Sequence, residues 1–267
     1  MATEERQVRT TTAPDGVRTI EIANPTRGNA LTPAMRDDLA RAFEDVRRDT
    51  EVRAVVLAAA GDRHFCTGAD LSATPPRSDH RSGDVARTLR DGWQRLVAAI
   101  IDCDTPVVAA VTGTAAGAGM SLVLACDLVV MSSTATLVAP FVRRGILPDA
   151  GAIHLLTRAV GQRRAAEILM LAEPLDAEGC GRLAIATRVT EPADTRTEAD
   201  AMAQRLASGP GVALAQIKRL LAVAPESDRS RAFDQEAWAQ ETVAATDDLA
   251  EGIAAFREKR EPRFRGR

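Results

Sequence analysis

Two glycine-bearing stretches constrain this chain more than any other feature: HFCTGADL at 64–71 and TGTAAGAGMSLVLACD at 112–127. Each follows an apolar, β-branched run that reads as a strand, RAVVLAA at 53–59 and TPVVAAV at 105–111. The second stretch runs on into a segment that reads as an apolar helix. A strand, a turn of small residues and a helix N-terminus leave backbone N–H groups free to point into a pocket. Two such turns side by side can hold one carbonyl oxygen between two N–H donors. Glycine and alanine suit that task because a bound group must approach the backbone closely. Ordinary strand-to-helix turns also use small residues for close packing, so either turn alone specifies little.

The flanks supply the layout. VRTIEIA, Val17–Ala23, alternates like a half-buried strand. Thr32 and Pro33 stand where an N-cap and a first-turn proline belong, and Met35, Leu39, Phe43 and Val46 follow at helical spacing. The polar, proline-rich segment at 72–83 is expected to be a surface loop. Leu89, Trp93, Leu96, Val97, Ile100 and Ile101 form the apolar face of a second helix, with Trp93 in the core. DLVVM at 127–131 reads as a further strand, and from about Gly161 the pattern is mainly helical, at 162–171, 195–207, 212–223, 231–245 and 247–259.

Composition excludes several classes. A chain of 267 residues with 45% hydrophobic and 27% charged residues is long enough for a substantial core, in one large domain or two small ones. A net charge of −3 gives no reason to expect a nucleic-acid partner. The apolar runs fall short of a membrane span, and MATEERQVR lacks a signal-peptide core, so a cytoplasmic protein is expected. Cys66, Cys103, Cys126 and Cys180 form no CxxC pair and read as small buried residues of a reducing compartment. With His64, His80 and His154 alone, and no His-x-x-x-His spacing, no metal site is expected.

In this order and with these flanks, the motifs resemble the crotonase superfamily of enoyl-CoA hydratases and isomerases. The resemblance begins at ANPTRGNALTPAM, 23–35, similar to the family's N-P-x-x-x-N-A-L opening. It continues through FCTGADL, AAGAGMSLVLACDL, GILPDAG at 145–151 and the ending EGIAAFREKREPRF at 251–264. It implies an α/β fold: a β-β-α superhelix over 1–195 holding an acyl-CoA site, and a C-terminal helical region, 196–267, that caps the site and builds a homotrimer or a dimer of trimers. The expected partner is an acyl-CoA thioester, with coenzyme A as part of the substrate and no separate cofactor.

Carried over residue by residue, the resemblance puts the two oxyanion donors on the N–H groups of Ala69 and Ala118, beside Gly68 and Gly117. Deprotonation next to a thioester puts charge on its oxygen, and one well-placed donor contributes on the order of 3 kcal/mol to such a transition state. Arg27 would sit near the pantetheine or phosphates. Asp70 and Leu71 belong to the ligand loop, with Asp70 structural rather than catalytic. Phe256 and Lys259 would approach the adenine end from a neighbouring subunit. The last eleven residues carry six Lys or Arg against two Glu, and Arg263 to Arg267 read as a solvated tail.

The acid–base positions depart from the hydratase pattern. Where hydratases carry two glutamates, this chain has Ser121 and Phe141. Adding water to a double bond needs one group to activate water and one to deliver a proton, which neither residue provides. Asp149, in LPDAG, occupies a position where dienoyl-CoA isomerases, dehalogenases and ring-epoxide isomerases carry an aspartate. The combination of AAGAG, Phe141 and G-x-x-P-D-x-G is most similar to the 1,2-epoxyphenylacetyl-CoA isomerase group. Apolar neighbours at Phe141, Ile146 and Leu147 would raise the pKa of Asp149 towards that of a useful base. Pro148-Asp149 ahead of an apparent helix is equally good N-cap chemistry. His64 and His154 read as packing or solvent residues, and Ser121 as a substrate contact or a hydroxyl bonded to its own helix.

Overall fold

The runs at 53–59 and 105–111 are apolar at nearly every position because the sheet they build is covered on both faces. The computed structural model describes residues 7–73 and 81–267. Most of the loop expected at 72–83 therefore lies outside the described residues. The elements run β1 (Gln7–Thr12), β2 (Val17–Ala23), α1 (Pro33–Val46), β3 (Ala54–Ala59), β4 (His64–Cys66) and α2 (Asp84–Thr88). Helix α2 continues through a π-helical turn (Leu89–Gln94) into α3 (Arg95–Ile101). Then come β5 (Val107–Val111), β6 (Thr114–Ala116), α4 (Ala118–Ala125), β7 (Leu128–Ser132), β8 (Thr136–Val138), α5 (Ala152–Leu171), β9 (Leu175–Asp176), α6 (Ala177–Arg182) and β10 (Arg188–Thr190). Helices α7 (Thr195–Ala207), α8 (Gly211–Val223), α9 (Arg229–Ala244) and α10 (Asp247–Glu258) complete the chain.

One sheet has six strands in the order β1-β2-β3-β5-β7-β10, and a second has four, β4-β6-β8-β9. From β3 to β8 consecutive strands alternate between the sheets, and each pair is followed by helix: β3-β4 by α2 and α3, β5-β6 by α4, β7-β8 by α5. This is the expected β-β-α superhelix. Alternate residues of the large sheet enter two cores. Ile20, Ile22, Val55, Leu57, Val107, Ala109 and Val111 join the core with α1, α3 and α4. Val56, Ala58, Val108, Ala110 and Val130 pack on Ala199, Ala203 and Ala207 of α7. The i, i+4 alanines give α7 a flat face that lies close on the strands.

Local signals held where the sequence was strongest. Thr32 caps α1 by accepting the Met35 N–H at 3.2 Å, and Met35, Leu39, Phe43 and Val46 are buried. Trp93 is 8% exposed within the core. The two strands at the glycine turns went unread, as did β1, β8, β9 and β10. The first glycine stretch itself opens with β4, and the second contains β6, so neither turn leaves directly from the strand expected before it. Strands of three residues are too short for periodicity to reveal. The apparent helix after Asp149 and the helix expected at 162–171 are both present and join as α5, with non-helical backbone at Gly161 (φ 77°, ψ 162°) between them.

Candidate active site

The two glycine turns meet because β4 and β6 are parallel neighbours in the smaller sheet. Their C-terminal ends therefore lie side by side, and the turns leave them together. Gly68 has φ +91°, and a Cβ there would stand 3.3 Å from the Ala118 nitrogen and 3.1 Å from the Ala116 oxygen. Gly117 has φ +57° and ψ −126°, a backbone state closed to most side chains. Gly119 lies against the Cys66 carbonyl, where a Cβ would be 2.0 Å from oxygen. Each glycine is thus demanded by backbone geometry or by contact between the turns. Ala118 is the first residue of α4, so its N–H has no intrahelical acceptor. Among the described residues neither Ala69 nor Ala118 donates its N–H to another main-chain oxygen.

The opening motif braces the first turn. Leu31 donates to the Gly68 carbonyl at 2.8 Å, Asp70 donates to the Leu31 carbonyl at 2.9 Å, and Thr67 donates to the Gly28 carbonyl at 3.1 Å. Asn29, with φ 54°, donates to the carbonyls of Ala60 and His64 and accepts from the Asn24 N–H. Asp70 is buried, accepts from the N–H and hydroxyl of Ser72, and lies 3.8 Å from Arg27, which also reaches the Ser72 hydroxyl at 2.6 Å. Arg27, Asp70 and Ser72 are thereby one polar cluster at the rim of the turn, and Leu71 beside it is 61% exposed. Phe141 is buried, its ring tip 4.0 Å from where a Gly117 Cβ would lie. Ser121 is fully buried and its hydroxyl has no partner among the described residues. The expected bond to its own helix is not made. Partly buried His64 is pushed towards its neutral form by burial and by Arg63.

Asp149 lines a pocket of about 650 Å³ with Leu89, Gln94, Leu147, Ile153, His154 and Arg158 among its walls. The turn residues 68, 69, 117 and 118 are not part of that lining. The cap expected of Asp149 is absent: Gly151, with φ 77°, is the N-cap of α5, and no side chain caps the helix. Only the Asp149 carbonyl engages it, accepting the Ala152 N–H at 2.9 Å. The left-handed backbone at Ala150 and Gly151 turns the chain between the aspartate and the helix, displacing the carboxylate from the cap position. Burial raises the Asp149 pKa above its ordinary value, partly offset by its own N–H. The apolar shield differs from the expected one, since Ile146 and Leu147 are 49% and 74% exposed. Arg158 is committed to Glu226 at 3.2 Å and to the carbonyls of Leu221 and Ala222.

His154, read as a packing or solvent residue, is exposed and lines this pocket. Sequence reasoning missed Gln94, Thr157 and Arg158 as lining residues; the signal for Gln94 was Gly92, a glycine inside a helical stripe. Phe256 is 85% exposed and borders a small apolar hollow with Val212, Val243, Ile253 and Phe264, while Lys259 ends α10 with φ 56°. Burial pushes the Cys66 thiol up to about 12, as suits a packing residue. Among the described residues no three His, Cys, Asp or Glu side chains gather as a metal would need, and no helix is long and apolar enough to cross a membrane.

Comparison with known proteins extends the resemblance. Residues 12–267 match the family described as enoyl-CoA hydratase/isomerase. The chain is 36% identical over 253 residues to the "Probable enoyl-CoA hydratase" of Rhodobacter capsulatus, covering 95% of this chain and 96% of that protein. It is 31% identical over 252 residues to the 1,2-epoxyphenylacetyl-CoA isomerase of Escherichia coli, covering 94% and 96%. Among solved structures, an enoyl-CoA hydratase from Polaromonas superposes with a TM-score of 0.91 at 31% identity, over 97% of this chain and all of that one.

Proposed function

We infer from membership of the enoyl-CoA hydratase/isomerase family, to which this chain belongs as an enzyme, that it is an acyl-CoA thioester isomerase. Asp149 removes a proton from the acyl chain near the thioester and returns it at another carbon. The N–H groups of Ala69 and Ala118 hold the thioester oxygen while it carries the enolate charge. Arg27 and the Asp70–Leu71 segment steady the coenzyme A portion, and Gly68, Gly117, Ser121 and Phe141 shape the space around the reacting carbons. Phe256 and Lys259 complete the nucleotide site of a neighbouring copy in a trimer or a pair of trimers.

The observation that carries this reading is Asp149. Its half-buried carboxyl lines a pocket whose other described carboxylate, Glu226, is held by Arg158. Burial raises its pKa, which is what a base working near neutrality needs. A second reading, a hydratase homologue with weak hydration activity, draws on relatives named as hydratases. Ser121 and Phe141 weigh against it, since neither can handle the protons of water addition.

The Asp149→Asn variant tests the proposal. Exchange of the substrate's α or γ proton with solvent deuterium, followed by NMR, is expected to fall at least about a hundredfold while acyl-CoA affinity changes little. Normal exchange in the variant would remove Asp149 as the base and favour a non-catalytic acyl-CoA binding protein.

A further inference from the structure

We propose that Gln94 determines specificity: the π-helical turn at Leu89–Gln94 brings its carboxamide into the Asp149 pocket, where it selects acyl groups bearing a neutral oxygen function over plain hydrocarbon ones. The proposal rests on the acyl-CoA reading above and narrows it to a substrate class.

In an α-helix, residues five apart point about 140° away from each other, on different faces. A π-turn closes its hydrogen bonds between residues five apart and so stacks them. Leu89 and Gln94 are five apart, they bound the π-turn, and both line the pocket. Gly92 and Trp93 between them are buried. The turn therefore sends Trp93 into the core and the next residue to the pocket.

The π-turn is clamped by α1. Arg36 crosses Gly92, where a Cβ would stand 2.4 Å from the guanidinium, and lies 6.0 Å from the centre of the Trp93 ring. One residue past the turn, Arg95 makes a two-pronged bond to Glu44 at 2.8 and 2.9 Å. Any side chain at position 92 would displace Arg36. The sequence thus keeps a glycine, costly in a helix, where Arg36 packs across the turn beside Gln94.

The pocket chemistry names the ligand class. Leu89, Leu147, Pro148, Ile153 and Pro225 are apolar, so an acyl chain filling the space strips water from the Gln94 amide. A site whose buried polar group is left unpaired rejects the analogue that lacks the partner. Arg158, the lining arginine, is neutralised by Glu226 and two carbonyls, which disfavours a terminal carboxylate. A hydroxyl, carbonyl or ether oxygen on the acyl chain matches Gln94, and Thr157 also lines the pocket.

Calorimetric binding tests this without requiring turnover, so it stands apart from the fate of Asp149 as a base. The probes are hexanoyl-CoA, its four derivatives hydroxylated at successive carbons from the β position outward, and adipyl-CoA. The protein is expected to bind at least one hydroxylated ester about tenfold more tightly than hexanoyl-CoA. In Gln94→Met, nearly the same shape without the hydrogen bonds, that ratio should collapse to about one. A role in folding alone would move both affinities together and leave the ratio intact. Equal binding of all the esters, tightest binding of adipyl-CoA, or a ratio that survives in Gln94→Met would overturn the proposal. Failure to bind any CoA ester would overturn the acyl-CoA reading itself.

Discussion

At the scale of single residues, Asp149 carries the clearest consequence. Its folded-state pKa is raised by burial, so the folded protein favours the protonated form. Such a group adds stability below its ordinary value of 3.8 and loses that contribution as the pH rises through the raised value. At pH 7 the charged carboxylate is therefore a burden on the fold. Asp149→Asn should have a higher Tm than the parent at pH 7, and the advantage should shrink as the pH falls from the raised value towards 3.8. A thermal melt series of both proteins checks this; a Tm difference of the opposite sign would mean that the carboxylate makes a stabilising contact when ionised. The absent cap sharpens the comparison, because no helix bond is lost on substitution. Sequence alone could not tell cap from pocket, since Pro148-Asp149 serves both and only the left-handed turn at 150–151 separates them.

At the scale of elements, the two glycine turns depend on two strands of three residues lying against α4. Gly119 is where they touch, and its contact is with backbone, which cannot yield as a side chain would. Gly119→Ala should destabilise by about 1–3 kcal/mol, the usual range for overpacking. It should weaken acyl-CoA binding as well, because the first turn moves away from the Ala118 N–H. Chemical denaturation and calorimetry on the same sample measure both effects. A stable variant with undiminished affinity would dissociate the turn contact from ligand binding. Helix α8 is tied in differently. Lys218, 8% exposed, donates to the Ile100 and Thr105 carbonyls and to Asp127 at 2.7 Å. All three ammonium donors are thereby engaged, as a buried charge requires.

At the scale of the whole molecule, the C-terminal helices leave large apolar side chains uncovered. Trp238 and Phe256 are 75% and 85% exposed, with Leu221 and Phe233 also open to solvent. Exposed apolar side chains of this size on neighbouring helices are what a subunit interface would cover. The expected outcome in light scattering at micromolar concentration is a species of three or six 28.4 kDa chains. A stable single chain would remove the neighbouring-copy role given to Phe256 and Lys259. Helix α7 belongs to the same stretch of sequence yet does a different job, sealing the far face of the large sheet with its three alanines.

The sequence by itself determined the parts whose signal is local: the capped amphipathic α1, the apolar strands β3 and β5, the glycines, and the family to which their order points. Gly68 and Gly117 were readable because positive φ and close backbone approach leave a mark on residue type. Tertiary structure decided whatever depends on residues distant in the chain. It set β4 beside β6, so that two turns 49 residues apart meet (118 − 69). It moved Asp149 off the helix cap and into a pocket, left the Ser121 hydroxyl without a partner among the described residues, and used a π-turn to bring Gln94 to that pocket while keeping Trp93 in the core. Periodicity assumes one helical pitch and one register, and each of these features arises where packing against another element overrides them.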